Sequence, residues 1–114
     1  MIYLVNSLPN KVIVPPSPGF EVVIEKIELQ EAIKYLRRGF KSNVGHQNYA
    51  DALSILTGLD IEMNREEVFY DTSDLIIAAI VIPPGRLEEG ESWTEDQFLE
   101  MPIRWAKIRK QKKR

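Results

Sequence analysis

The sequence predicts a small single-domain α/β protein with a mixed sheet of about five strands and about three helices. The chain has 114 residues, which is enough to bury one hydrophobic core. Its hydrophobic share of 44% and its charged share of 28% are ordinary for a globular domain. Short β-branched runs also alternate with segments whose apolar residues recur at helical spacing. These three observations together favour the α/β class.

The first part of the chain contains two predicted strands. Residues 2–6, "IYLVN", are β-branched and aromatic and end at an asparagine, as a strand does when it leads into a loop. Residues 15–20, "PPSPGF", contain three prolines and predict a rigid connection. Residues 21–27, "EVVIEKI", predict the second strand.

Two helices are predicted next, and a glycine ends each of them. Residues 28–39, "ELQEAIKYLRRG", and residues 47–58, "QNYADALSILTG", both carry apolar residues at helical spacing. We expect these residues to face the core: Leu29, Ala32, Ile33 and Leu36 in the first helix, and Ala52, Leu53, Ile55 and Leu56 in the second.

Two further strands are predicted in the second half of the chain. Residues 65–71, "REEVFYD", and residues 73–82, "SDLIIAAIVI", have strand composition, and the "DTS" between them fits a hairpin. The second of these runs is continuously apolar. It therefore predicts a central strand that is covered on both faces.

A short helix and a last strand complete the predicted fold. Thr94 and Gln97 have the spacing of a capping box, which predicts a helix over residues 94–101. Residues 102–110, "PIRWAKIRK", alternate apolar and polar side chains and predict the final strand.

The net charge of −2 conceals an uneven distribution of charge. Residues 107–114, "KIRKQKKR", hold six of the 15 basic residues, which leaves nine to face all 17 acidic residues in the rest of the chain. We therefore divide the chain into an α/β domain over residues 1–106 and a basic C-terminal tail over residues 107–114. The acidic domain argues against a protein that binds long nucleic acids through many phosphates. The tail is either a solvated, frayed end or a nucleic-acid attachment.

The composition disfavours several other classes of protein. The chain has no cysteine and one histidine, which excludes disulfides, thiolate nucleophiles and cysteine metal sites and disfavours a histidine-rich metal site. No apolar run approaches the roughly 18 residues of a membrane span, and the first residues lack the pattern of a secretion signal. We expect a cytoplasmic protein with no cofactor, no bound metal, no membrane contact and no stable partner protein.

The single histidine, His46, lies where the second predicted helix begins. A lone histidine beside a glycine is commonly a surface or capping residue, and that interpretation stays open. A second unusual place is the loop "PPGRLEEGE", which carries Arg86 and Glu89 directly after the apolar strand. Loops that leave strand ends often hold the sites of α/β proteins, although these two residues can also form an exposed ion pair.

Together, His46, Arg86 and Glu89 are sufficient for cleavage of RNA without a metal. An imidazole can protonate a leaving oxygen near neutral pH, an arginine can hold the charge of a phosphodiester, and a glutamate can orient a hydroxyl. RNA supplies its own nucleophile, the 2′-hydroxyl. These three residue types therefore indicate phosphodiester chemistry.

Three motifs, in this order and at these separations, resemble those of the viral anti-CRISPR ring nucleases. They are "GH" at residues 45–46 where a helix begins, "NR" at residues 64–65, and "RLEEG" at residues 86–90 after an apolar strand. The likeness covers most of the chain and includes a first strand that ends at Asn6. "RLEEG" is the most specific part of the likeness.

The resemblance implies an activity and a set of roles. Proteins of this family are homodimers that bind cyclic tetraadenylate across their interface and cut it, without metal, into linear diadenylate with a 2′,3′-cyclic phosphate. By motif, His46 would be the general acid, Arg86 would stabilise the scissile phosphate, and Glu89 would orient the 2′-hydroxyl. Asn6 and Arg65 would bind the ring.

The residues around His46 are further candidates for ring contacts. Gly45 belongs to the "GH" motif, and Gln47, Asn48 and Tyr49 follow it where the family pattern has Asp, Ser and Thr. These three residues either take over ring contacts or simply begin the helix. For Tyr49, the alternatives are core packing and an adenine platform.

Other prominent residues have simpler interpretations. We expect packing, rather than base stacking, for Trp93 and Trp105, and packing for Met63. We expect Glu66 and Glu67 to lie on the solvent-exposed face of a strand.

Two functions other than the ring nuclease stay open at this point. One is a protein of the same fold that sequesters a cyclic oligonucleotide without efficient turnover. The other is a DNA- or RNA-binding regulator that uses the basic tail.

Overall fold

A computed structural model describes residues 1–8, 19–66, 70–81 and 94–112. Within these residues, the chain forms five strands and three helices. The elements in chain order are β1 (Ile2–Val5), β2 (Phe20–Ile27), α1 (Leu29–Leu36), β3 (Lys41–Asn43), α2 (Gln47–Thr57), β4 (Leu75–Val81), α3 (Glu95–Glu100) and β5 (Ile103–Lys112).

All five strands form one mixed sheet in the order β2-β5-β4-β1-β3. β1 pairs in parallel with both β3 and β4, whereas β5 pairs antiparallel with β4 and β2. The small α/β domain with a mixed five-stranded sheet is therefore confirmed. Because β1, β3 and β4 run in the same direction, their carboxyl ends lie along one side of the sheet, which we call the carboxyl edge.

The helices pack on one face of the sheet, and the core lies between the two layers. Strand residues with their side chains on this face pack against the buried faces of α1 and α2. A smaller apolar cluster lies on the opposite face of the sheet. The first cluster includes Leu4, Ile77, Ala79, Trp105, Ala32, Leu36 and Leu53, and the second consists of Val5, Ile76, Ala78 and Ile108.

β4 is the central strand of the sheet, as its composition predicts. Its first five residues, from Leu75 to Ala79, are all buried, and their side chains alternate between the two clusters. A strand with helices on one face and a second apolar cluster on the other has no polar face to present, which explains the unbroken apolar run.

The ends of the helices match the predicted signals. Gly39 and Gly58, beyond the ends of α1 and α2, have φ angles of 103° and 72°, a region that L side chains rarely adopt. At α3, the Thr94 amide donates to Gln97 Oε1 at 2.7 Å, and the Gln97 amide donates to Thr94 Oγ1 at 3.2 Å. The predicted capping box is therefore confirmed.

The predicted strand over residues 65–71 is wrong in its described part, since residues 65, 66, 70 and 71 are not in a strand. The predicted hairpin is wrong as well. The Asp74 amide donates to the Asp71 carbonyl at 3.2 Å in a turn that leads into β4, and β4 pairs with β1 and β5 instead. The partners of β4 are distant in the chain, so local composition did not indicate them.

The fifth strand is instead β3, Lys41–Asn43, which the sequence analysis missed. Its sequence, "KSN", contains no β-branched or aromatic residue and has no strand signal of its own. Parallel pairing with Tyr3, Leu4 and Val5 of β1 holds it in place. Tertiary pairing therefore creates this strand.

The buried face of α2 differs in part from the prediction. Ala52 and Leu53 are buried as expected, but Ile55 is 58% exposed. The inner face also includes Tyr49, for which core packing was one of the two alternatives, and Ala50, whose burial was not predicted. Ile55 lies two residues from Leu53, about 200° around the helix, and so on its outer side.

The basic C-terminal segment is a strand over most of its length. β5 continues to Lys112, which pairs with Phe20 of β2, so a frayed end is wrong for residues 107–112. Lys107 Nζ lies 3.3 Å from the Glu25 carboxylate and 3.2 Å from the Tyr35 hydroxyl. Strand alternation also divides the basic side chains between the two faces of the sheet. Among the described residues, no helix is both long and apolar enough to span a membrane.

Leu53→Ala should lower the free energy of unfolding by about 2–5 kcal/mol, since Leu53 has no exposed surface and the change leaves a cavity. Ile55→Ala, on the outer side of the same helix, should change it by less than about 1 kcal/mol. Urea unfolding followed by circular dichroism measures both. Equal losses would contradict the orientation of α2.

Candidate functional site

The carboxyl edge brings together residues that are far apart in the sequence. Asn6 directly follows β1, and Gly45 and His46 lie between β3 and α2. Because β1 and β3 are parallel neighbours, with Val5 opposite Asn43, the segments that follow them leave the sheet side by side. Three predicted site residues therefore lie at one place.

Gly45 connects two other predicted ring-binding residues through its backbone. Its amide donates to Asn6 Oδ1 at 3.3 Å. Its carbonyl accepts a hydrogen bond from Arg65 Nε at 2.7 Å. A Cβ on Gly45 would lie 3.5 Å from Cγ of Arg65, an ordinary van der Waals contact, so the close approach of the arginine stem does not itself require a glycine here.

Arg65 uses only one of its guanidinium nitrogens in these contacts. Its side chain is exposed, and no described residue accepts a hydrogen bond from its two terminal nitrogens. Those nitrogens can therefore form a fork for a carboxylate or a phosphate beside Gly45.

His46 occupies the N-cap position of α2. Its φ and ψ of −141° and 124° are extended, and its carbonyl accepts the first helical hydrogen bond, from the Ala50 amide at 2.9 Å. The imidazole makes no capping hydrogen bond to the helix and is half-buried. The first turn of α2 contains no acidic residue of its own that could neutralise the positive end of the helix.

The three residues after His46 differ in their surroundings. Gln47 is exposed, and its Nε2 donates to Asp51 at 2.8 Å along the helix surface, whereas Asn48 is half-buried. Tyr49 is 3% exposed, and its hydroxyl donates to the Ala79 carbonyl. Its surroundings match core packing rather than an adenine platform. Burial also raises the pKa of Tyr49 well above its usual value.

Arg86 and Glu89 lie outside the described residues, as does Trp93. The segment that carries them begins after Val81, where β4 ends. β4 runs parallel to β1, so this segment starts at the same carboxyl edge as Asn6. Arg86 is five residues beyond Val81, a reach of at most about 18 Å.

Of the residues expected to pack or to be solvated, Trp105 and Glu66 match the prediction and Met63 does not. Trp105 is 6% exposed and packs in the core, as expected. Met63 is 40% exposed, although packing was expected for it. Glu66 is exposed as expected, and it also lies 2.9 Å from Lys41 Nζ, whose hydrogen bond lowers the pKa of the Glu66 carboxyl.

A group of polar side chains that the sequence did not predict lies around β3, the strand that leads to Gly45. Asn43 Nδ2 donates to the Tyr70 hydroxyl at 3.2 Å, and the Tyr70 ring meets the Tyr3 ring edge-on at 5.1 Å. Asn64, in the loop that follows α2, donates a hydrogen bond from Nδ2 to the Ser42 carbonyl of β3. These contacts join residues more than 20 positions apart, so no local pattern predicted them. The "NR" motif was the one sequence feature that included Asn64.

A family model described as STIV B116-like matches residues 2–105 of this chain. The chain belongs to the STIV B116-like family. The match spans β1 to the first part of β5 and includes every predicted site residue.

The relatives of this B116-like chain come from archaeal viruses. It is 37% identical over 106 residues to "Uncharacterized protein ORF117" of Acidianus two-tailed virus, covering 88% of this chain and 84% of that protein. It is also 37% identical over 94 residues to "Uncharacterized protein 26" of Sulfolobus islandicus filamentous virus (isolate Iceland/Hveragerdi), covering 80% and 75%. The expected relationship to viral proteins is therefore supported.

A solved structure supports the fold of the B116-like chain. B116 of Sulfolobus turreted icosahedral virus superposes with a TM-score of 0.67 at 20% identity, over 94% of this chain and 97% of that one. At this identity, the likeness shows the fold.

Above about pH 10, the free energy of unfolding should fall as pH rises. Tyrosine in the unfolded chain releases its proton there, whereas folded Tyr49 keeps its own, so the neutral form favours folding below the unfolded pKa and this contribution is lost at higher pH. One such group contributes a slope of up to about 1.4 kcal/mol per pH unit.

Tyr49→Phe should reduce this slope, and urea unfolding at a series of pH values measures it. At neutral pH the variant should be less stable by about 1–3 kcal/mol, because the Ala79 carbonyl loses its partner. An unchanged slope would contradict the buried position of the hydroxyl.

Proposed function

We propose that this chain is a metal-independent ring nuclease that cuts cyclic tetraadenylate into linear diadenylate with 2′,3′-cyclic phosphate ends. The observation that carries the proposal is the position of Gly45. Its backbone is hydrogen-bonded to both Asn6 and Arg65, and His46 follows it directly. Residues assigned to the ring by motif, from three separate segments, thus lie beside the proposed general acid.

The reaction uses a nucleophile from the substrate. The 2′-hydroxyl oxygen attacks the adjacent phosphorus, the bond from phosphorus to the 5′-oxygen breaks, and a 2′,3′-cyclic phosphate forms. Glu89 orients the hydroxyl and takes its proton, and the His46 imidazolium donates a proton to the departing 5′-oxygen. Arg86 stabilises the charge on the phosphate.

The electrostatics of the carboxyl edge favour a phosphate at this place. A helix N-terminus carries a partial positive charge, and the first turn of α2 contains no acidic residue of its own. The exposed guanidinium of Arg65 lies beside it, held by the Gly45 carbonyl. A ligand with four phosphates needs such focused groups rather than a basic surface, which agrees with the net charge of −2.

A homodimer completes the proposal. Two copies related by a two-fold axis present His46, Arg65 and Asn6 twice to a ring that has the same symmetry. Each copy then cuts one of two opposite linkages, and one ring yields two diadenylates.

The direct test incubates the protein with cyclic tetraadenylate in excess chelator and resolves the products over time. Wild type should give diadenylate with a cyclic phosphate end, and His46→Ala should slow the reaction by about 100-fold or more, because the leaving oxygen loses its proton donor. Gln30→Ala, an exposed change at the start of α1, follows β2 at the opposite end of the strand order from β3 and should have wild-type activity.

Each other outcome of this test has a definite meaning. Tight binding of an uncut ring would support the sequestering protein instead. Neither binding nor cleavage would overturn the proposal, and binding of duplex DNA that weakens steeply with salt would favour the nucleic-acid regulator.

The stoichiometry of binding gives a separate prediction. Isothermal titration of His46→Ala with the ring should show one ring for every two chains, since the ring contacts both protomers. Sedimentation should show a dimer. One ring bound by each separate chain would contradict the shared site.

A further inference from the structure

The loop that follows α2 returns along β3 and is attached to it by its backbone. Met63 forms an isolated parallel bridge with Val44, and the Asn64 amide donates to the Val44 carbonyl at 2.8 Å. Ser42 Oγ also donates to the Glu62 carbonyl. The chain therefore reaches Arg65 alongside the strand that leads into Gly45.

The Asn64 side chain uses both ends of its amide at this point. Nδ2 donates to the Ser42 carbonyl at 3.0 Å, across 22 residues of sequence. Oδ1 accepts a hydrogen bond from the Glu66 amide at 3.0 Å, which closes an Asx turn around Arg65. One side chain thus fixes the backbone on both sides of Arg65.

The fixed backbone sets the point from which the Arg65 side chain reaches the Gly45 carbonyl. Arginine loses considerable rotamer freedom when it is held in one conformation, and no described residue holds the guanidinium except the Gly45 carbonyl at 2.7 Å. A backbone already set in place lowers the entropy lost on forming that contact. The same contact holds the peptide that precedes His46.

The neighbouring groups do not replace Asn64 in this role. The Lys41–Glu66 ion pair is exposed on both sides, and pairs of this kind contribute little. The Asn43 and Glu66 side chains lie 3.4 Å from Asn64 Nδ2, longer than its bond to Ser42. The shorter hydrogen bonds of the Asn64 side chain are those to the Ser42 carbonyl and the Glu66 backbone amide, both at 3.0 Å.

We infer that Asn64 is a positioning residue that fixes the guanidinium of Arg65 against the Gly45–His46 peptide, so that its terminal nitrogens receive a phosphate of the ring. This inference rests on the proposed function for the ligand. The placement of Arg65 by Asn64 is a property of the protein alone and can be measured without ligand.

The first test uses NMR on the free protein. In Asn64→Ala, the Nε–Hε resonance of Arg65 should shift and exchange faster with water, because its hydrogen bond to Gly45 is no longer maintained. The chain has one histidine, so the imidazole resonances of His46 are assigned directly and should move too. Asn64→Ser keeps a hydroxyl that can accept from the Glu66 amide and should show a smaller change.

Ser54→Ala is the matched control. The Ser54 hydroxyl fixes the other end of the same loop through the Ile61 amide at 3.0 Å, and it does not contact Gly45 or Arg65. It should leave the Arg65 and His46 resonances in place. If Asn64→Ala leaves them in place as well, the inference is overturned.

The second test is a double-mutant cycle on ring affinity. Asn64→Ala should weaken binding by about tenfold in the wild-type background, as expected when a charged hydrogen-bond donor is lost from its position. In the Arg65→Ala background it should weaken binding by less than about twofold, because its effect passes through Arg65. An equal loss in both backgrounds would indicate general structural damage and overturn the inference.

The two proposals fail in different ways. If wild type does not bind the ring, the proposed function fails, and the NMR comparison alone decides the role of Asn64. If wild type binds the ring and the cycle is additive, the proposed function stands and the role of Asn64 is wrong.

Discussion

The parallel pairing of β1 with β3 and β4 is the constraint on which the candidate site depends. In parallel strands the carboxyl ends lie at one edge, so Asn6 and Gly45 meet although 39 positions separate them. The segment that carries Arg86 starts at the same edge. The sequence of β3 has no strand propensity of its own, so this pairing is what makes it a strand. The same pairing positions the peptide that precedes His46.

The backbone of Gly45 converts this topology into a defined geometry. A glycine contributes no side chain, yet its amide and carbonyl join Asn6 and Arg65 through two hydrogen bonds. Polar groups of this kind are satisfied by one another and so hold a fixed relative position. The main chain of Gly45 thus joins the two side chains, while the two terminal nitrogens of Arg65 stay available to a ligand. The overall acidity of the chain does not oppose this, because the positive groups are few and local.

Membership of the B116-like family and the match to a solved structure establish the architecture. A fold of this kind supports different functions, so the activity depends on the residues at the carboxyl edge. A histidine at a helix N-terminus, an exposed arginine and an asparagine form a set suited to phosphate. The proposed ring cleavage is the chemistry that uses all of them, together with the glutamate and arginine of "RLEEG".

The sequence by itself determined the elements that local chemistry specifies. The apolar run of β4, the glycine beyond α2 and the Thr94 capping box depend on near neighbours, and each was predicted correctly. Only the tertiary structure decided β3, the return of Asn64 onto it and the burial of Tyr49, because their partners lie more than 20 residues away. Residue types mark the candidate site, whereas its geometry follows from parallel strand pairing, which no local pattern encodes.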